Sequence, residues 1–121
     1  MLYLMNAIPN SLIIPEETGE SNTVTRWPED VARSQLEEGF ISAIGHASTA
    51  NAISRRTNNI IKVNRIALVF ELTGRPNEVL LHPGDCLLVA AVKTPRRLPE
   101  GELYTEEEIL AMPIMWAFVQ L

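Results

Sequence analysis

Apolar positions in this chain come in short blocks, and the spacing within each block predicts an element. Residues 2–8 form an apolar run closed by Pro9-Asn10, which predicts a first strand. Residues 11–14 extend the chain to Pro15, and the polar, acidic stretch 16–22 reads as a loop. A short strand is expected at 23–27. Pro28-Glu29-Asp30 then opens a helix, because proline suits the first turn and carboxylates suit the positive end of the helix dipole. Val31, Gln35, Leu36 and Phe40 bracket its expected buried side, and Gly39 stops it.

Residues 40–44 read as a strand and 46–56 as a second helix. Ala47, Ala50 and Ile53 form its inward stripe with Ser54 beside them, and Arg55 and Arg56 sit at its negative end. Thr57-Asn58-Asn59 is a turn, 66–72 a strand and 73–77 a loop. Pro83-Gly84-Asp85 marks a tight turn before the apolar strand 86–92. A basic, proline-rich loop follows at 93–101. Thr105 and Glu108 have the spacing of a capping box, so a short helix starts there and ends at Met112-Pro113. Residues 114–121 return as a last strand. Strands interleaved with helices predict an α/β fold, a mixed β-sheet with two to three helices packed on it, in a single domain over 1–121.

The formal net charge of −5 argues against binding long DNA or RNA, which needs a basic surface. A small anionic ligand held by a few local arginines remains compatible with it. One cysteine, Cys86, forms no internal disulfide, and no Cys/His cluster has zinc spacing, so no metal and no cofactor is expected. Met1-Leu2-Tyr3-Leu4-Met5 lacks a basic region, so no signal peptide is expected. No apolar run reaches the length of a membrane span. A cytoplasmic protein is the expectation.

The chemistry centres on Phe40-Ile41-Ser42-Ala43-Ile44-Gly45-His46-Ala47-Ser48-Thr49-Ala50, where strand turns into helix at a histidine. Free N–H groups and the helix dipole favour an anion at such a junction, and histidine is suited to proton transfer near neutrality. Read alone, His46 is equally a cap or a packing residue, and Ser48 and Thr49 serve a phosphate or the helix N–H groups. In Thr94-Pro95-Arg96-Arg97-Leu98-Pro99-Glu100-Gly101, two prolines stiffen a loop holding two arginine forks and a carboxylate. Its other reading is a solvated loop with a local ion pair. Asn6 and Asn64-Arg65 stand where strands begin or end, places where ligands bind in α/β sheets. His82 reads as a turn residue, Cys86 as core, Trp27 and Trp116 as core or interface anchors, and Glu106-Glu107-Glu108 as a dipole complement.

Four blocks taken in order are Ser42-Ala43-Ile44-Gly45-His46-Ala47-Ser48-Thr49-Ala50, Val63-Asn64-Arg65-Ile66, Pro83-Gly84-Asp85 and Arg97-Leu98-Pro99-Glu100-Gly101. With Asn6-Ala7 they resemble the viral and bacterial ring nucleases. These are small anti-CRISPR proteins of archaeal viruses and phages, with cellular relatives, that destroy the cyclic tetra-adenylate signal of type III CRISPR defence. The resemblance covers nearly the whole chain. It implies a mixed α/β homodimer that holds the ring at its interface and cleaves it without metal. It gives His46 the part of general acid, with Arg97 and Glu100 completing the catalytic group. Asn6, Ser48, Thr49 and Arg65 match family positions that line the ligand pocket, and Ser11, Gly45 and Arg96 are further candidate substrate-binding residues.

The chain departs from the family pattern at four places. Ile8-Pro9 follows Asn6-Ala7 where the family has Phe-Ser, and Ala91 or Val92 stands where a glutamine is usual. Pro95-Arg96 reads as a short insertion, and the loop 73–83 is longer than in the family. Two other functions fit the same residues: a sensor or sponge that binds a cyclic oligonucleotide without cutting it, and a small regulator that docks on protein partners through apolar strands and Trp116.

Overall fold

A computed structural model of the chain describes residues 1–6, 19–21 and 24–121. Ser11, the strand extension at 11–14 and the end of the first predicted strand lie outside the described residues. The elements in chain order are β1 (Leu2–Met5), β2 (Gly19–Ser21), β3 (Val24–Trp27), α1 (Glu29–Glu37), β4 (Ile41–Ser42) and α2 (Ala47–Thr57). They continue with β5 (Ala67–Val69), β6 (Glu78–Leu80), β7 (Cys86–Val92), α3 (Glu106–Leu110) and β8 (Ile114–Gln120). Six strands form one sheet in the order β2-β3-β8-β7-β1-β4, and β5 and β6 pair as a separate arm. β1 runs parallel to both β7 and β4, while β8 is antiparallel to β7 and β3. The mixed α/β sheet with three helices is the expected architecture.

β7 lies at the centre, and its sequence says why. Leu87, Leu88, Val89 and Ala90 are all at most 1% exposed, so both faces of the strand are covered. Successive side chains point to opposite faces. Leu88 and Ala90 join Leu2, Leu4 and Trp116 under α1 and α2, where Ala32, Leu36, Ala50 and Ile53 meet them. Leu87 and Val89 join Tyr3, Ala117 and Val119 on the other face, where Ile66, Leu68 and Val79 of the β5–β6 arm and its approach pack. A strand covered on both sides reads as a continuous apolar run, and its bounds were readable for that reason.

The helices are stopped and joined by identifiable groups. Gly39 has φ +113, a conformation that stops α1 and that side chains resist. Asn58 ends α2 in the left-handed region. The capping box at Thr105 and Glu108 forms as its spacing predicts. Arg56 Nε donates to Glu29 Oε1 at 2.6 Å, and Trp116 Nε1 donates to the same oxygen at 3.2 Å, which links α2, α1 and β8.

Several expectations are corrected. The acidic stretch 16–22 contains β2, which pairs with β3. Val31 is exposed and Ala32 takes the inward place in α1; Ala47 is exposed in α2, where Thr49 and Ala52 are buried. The expected strand 66–72 is only three residues long, and Phe70 and Leu72 stand exposed beyond it. The stretch 73–83 holds β6, which pairs in parallel with β5. Of the two places expected for Trp116, core or interface, the structure takes the core, with 1% of the residue exposed, which removes Trp116 from the docking surface of the regulator reading.

Candidate functional site

Three neighbouring parallel strands end on one edge of the sheet. β1 runs out into Asn6, β4 into the turn leading to His46, and β7 into Thr94. Ligand crevices in open α/β sheets form outside such carboxyl ends. Two cavities open here and share Asn6 and His46. The first, about 220 Å³, continues over Ser48 and Thr49 to Val92, Thr94, Leu103, Tyr104 and Ile109. The second, about 550 Å³, runs past Gly45 and Arg65 to Pro76 and Asn77.

The turn that presents His46 is held by the chain on its far side. Ser42 Oγ donates to the Lys62 carbonyl at 2.6 Å, and Asn64 Nδ2 donates to the Ser42 carbonyl at 2.8 Å. Asn64 N–H donates to the Ile44 carbonyl at 2.8 Å. Arg65 Nε donates to the Gly45 carbonyl at 2.9 Å, which lays the guanidinium along the turn and leaves its two terminal nitrogens without a partner among the described residues. A Cβ on Gly45 would meet Arg65 Cγ at 3.5 Å, an ordinary contact, so bulk alone does not require glycine there.

His46 is the N-cap of α2, with extended backbone at φ −122 and ψ 133 and no side-chain cap bond. Its imidazole is exposed and makes no hydrogen bond or ion pair among the described residues. The first-turn amides of Ala47, Ser48 and Thr49 precede the first intrahelical bond, from Ala50 N–H to the His46 carbonyl at 3.0 Å. Together they make a donor cluster at the positive end of an eleven-residue helix. The rim of the second cavity is equally fixed. Glu78 accepts from the Thr73 hydroxyl at 2.6 Å, the Thr73 amide at 2.9 Å and the Arg75 amide at 3.2 Å. These bonds, the Thr73 hydroxyl foremost, hold the Glu78 carboxyl below the usual carboxylate range.

The structure therefore brings Asn6, Gly45, His46, Ser48, Thr49 and Arg65 together. It leaves Arg96, Arg97 and Glu100 on the exposed loop beside the first cavity, and none of them lines either cavity. Glu100 makes no hydrogen bond or ion pair with His46, so the carboxylate does not orient the imidazole here. Sequence reasoning missed Val92 and Thr94, whose place at the end of a parallel strand was the available signal. It also missed Tyr104, just before the capping box, and the Pro76-Asn77 rim. No group of three His, Cys, Asp or Glu side chains among the described residues is arranged to hold a metal ion. No helix among them is long and apolar enough to cross a membrane.

A family model described as STIV B116-like matches residues 2–116. The chain belongs to the STIV B116-like family. The uncharacterized protein ORF117 of Acidianus two-tailed virus is 31% identical over 117 residues, covering 93% of this chain and 86% of that protein. The uncharacterized protein ORF116 of Acidianus filamentous virus 1 is 36% identical over 73 residues, which are 60% of this chain but only 52% of that protein. Among solved structures, B116 of Sulfolobus turreted icosahedral virus superposes with a TM-score of 0.62 at 25% identity, over 99% of this chain and 98% of that one. The fold is thus shared across nearly the full length with a viral B116 protein.

Proposed function

We propose that this STIV B116-like chain is a metal-independent ring nuclease that opens cyclic tetra-adenylate and dampens the type III CRISPR signal in the cytoplasm. The observation that carries the reading is His46. An imidazole stands at the donor-rich start of α2 and is shared by two cavities, with Asn6 beside it and Ser48, Thr49 and Arg65 around it. The resemblance of the Ser-Ala-Ile-Gly-His and Arg-Leu-Pro-Glu-Gly blocks to ring nucleases supplies the substrate class.

The chemistry follows from RNA itself. A 2′-oxygen aligned with the adjacent phosphorus attacks it, the P–O5′ bond breaks, and a 2′,3′-cyclic phosphate forms while the 2′-hydroxyl proton passes to solvent. Alignment alone supplies a large part of such a rate. The departing 5′-oxygen needs a proton, which His46 gives as imidazolium. Charge on the phosphoryl oxygens is met by the α2 amides and by arginine. Two cuts convert one ring to two linear di-adenylates.

A ring of four adenylates is two-fold symmetric, and an isologous dimer offers two equal half-sites. A domain of net charge −5 has few cations to surround four phosphates, whereas two copies of Asn6, His46, Arg65 and Arg97 double them. Calorimetry is therefore expected to give one ring per two chains; one ring per chain, or full activity from a monomer at high dilution, rejects the dimeric site. The deciding assay incubates the protein with labelled cyclic tetra-adenylate in EDTA. Linear products ending in 2′,3′-cyclic phosphate support the enzyme. Tight binding with the ring intact supports the sensor or sponge, a reading favoured by the Glu100 carboxylate standing apart from His46.

A further inference from the structure

The loop that carries Arg96 and Arg97 is anchored in the wall of the first cavity at both ends. It leaves that wall at Thr94 and returns at Leu103 and Tyr104. Between these points the loop makes an internal turn, in which Glu102 N–H donates to the Pro99 carbonyl at 3.1 Å and Gly101 takes φ +84. Its link to the far side is the Tyr104 hydroxyl, which donates to the Arg96 carbonyl. Among the described residues, no other hydrogen bond or ion pair joins 95–102 to the rest of the chain. The Tyr104 ring is itself half-buried in the cavity that contains His46, so one end of the tie is set by the site's own wall.

We propose that Tyr104 is a positioning residue: its hydroxyl, through the Arg96 carbonyl, sets where the Arg97 guanidinium stands relative to the anion site at the start of α2. The catalytic part of this statement rests on the ring-nuclease reading; the tethering part does not. Pro95 and Pro99 stiffen the loop but fix no position against the sheet, because proline restricts local backbone angles only. A hydrogen bond across the base of the loop adds the missing constraint. Its effect on the ratio of ordered to open loop is on the order of five- to tenfold, the size of one neutral hydrogen bond, shared between a rise in the open population and a fall in the ordered one. A guanidinium held in place meets a phosphate at lower entropic cost than a wandering one. Tyr104→Phe removes the hydroxyl and keeps the ring, so the cavity wall is unchanged.

Two measurements test this on the full chain. Limited trypsin digestion, read by mass spectrometry at the bonds following Arg96 and Arg97, needs no substrate. Tyr104→Phe is expected to speed nicking there by about two- to threefold with Tm unchanged, because local opening governs such cleavage. Equal nicking of the two proteins overturns the tether. Single-turnover cleavage of cyclic tetra-adenylate in EDTA is expected to fall by about two- to threefold in Tyr104→Phe, yet not to fall further when the change is added to Arg97→Ala. An equal loss in both backgrounds overturns action through Arg97. A wild-type chain that leaves the ring intact rejects the ring-nuclease reading and the catalytic part together, and digestion alone then decides the tether.

Discussion

On the proposed ring-nuclease reading, His46→Ala is expected to lower single-turnover cleavage of cyclic tetra-adenylate by about 100-fold or more with ring binding retained. The imidazole makes no hydrogen bond or ion pair among the described residues, so removing it breaks no contact that holds the fold. The donors that meet a phosphate there belong to the α2 backbone and survive the change. Loss of the proton donor therefore falls on the 5′-oxygen, whose departure as an unprotonated alkoxide is slow. Quench-flow or gel assays of labelled ring in EDTA read the rate, and calorimetry reads the binding. Cleavage at the wild-type rate would remove His46 from the mechanism. Combining His46→Ala with Arg97→Ala should be little worse than the more damaging single change, since groups acting in one transition state lose their effects together. Fully multiplicative losses would mean that the two act separately.

Trp116→Ala destabilises the fold by about 3–5 kcal/mol, the range for emptying a buried aromatic site. Trp116 is 1% exposed and packs between the sheet and the two long helices. Its indole N–H also donates to the Glu29 carboxylate that binds Arg56, so the truncation removes packing and a shared hydrogen bond at once. For a domain of this size, Tm should fall by about 10–20 °C. Trp116→Phe restores most of the volume and loses only the N–H donor, with an expected loss of about 1–2 kcal/mol. Thermal unfolding followed by circular dichroism measures both. An alanine variant that melts with the wild type would show that the helix layer is not built on this side chain.

Local signals decided much of the fold. The continuous apolar run of β7, the Pro28-Glu29-Asp30 start of α1, the Thr105–Glu108 box and the strand-to-helix junction at His46 are each written in a few adjacent residues. Their physics is short-range: capping, dipole, and burial on both faces of one strand. The same was true of the site's first member, since a histidine before small hydroxyl residues marks a helix start without any knowledge of the rest.

What only the tertiary structure decided depends on distant partners. β2 and β6 are three residues each and carry little pattern of their own; they exist because β3 and β5 supply the hydrogen bonds, and β5 itself, expected over 66–72, is shortened to three residues by the same pairing. Ala32 is inward and Val31 outward because the helix docks on a particular line of Leu4, Leu88 and Trp116, which periodicity over nine residues does not define. The convergence of Asn6, His46 and Thr94 required knowing that β1, β4 and β7 run parallel as neighbours, although they are separated by long stretches of chain. Sequence by itself named candidate groups such as His46, Arg65 and Arg97; strand pairing decided which of them share a cavity. It brought Asn6 and Arg65 to His46, added Tyr104, and left Glu100 on the loop outside, because side chains meet where non-local pairing and packing put their backbones.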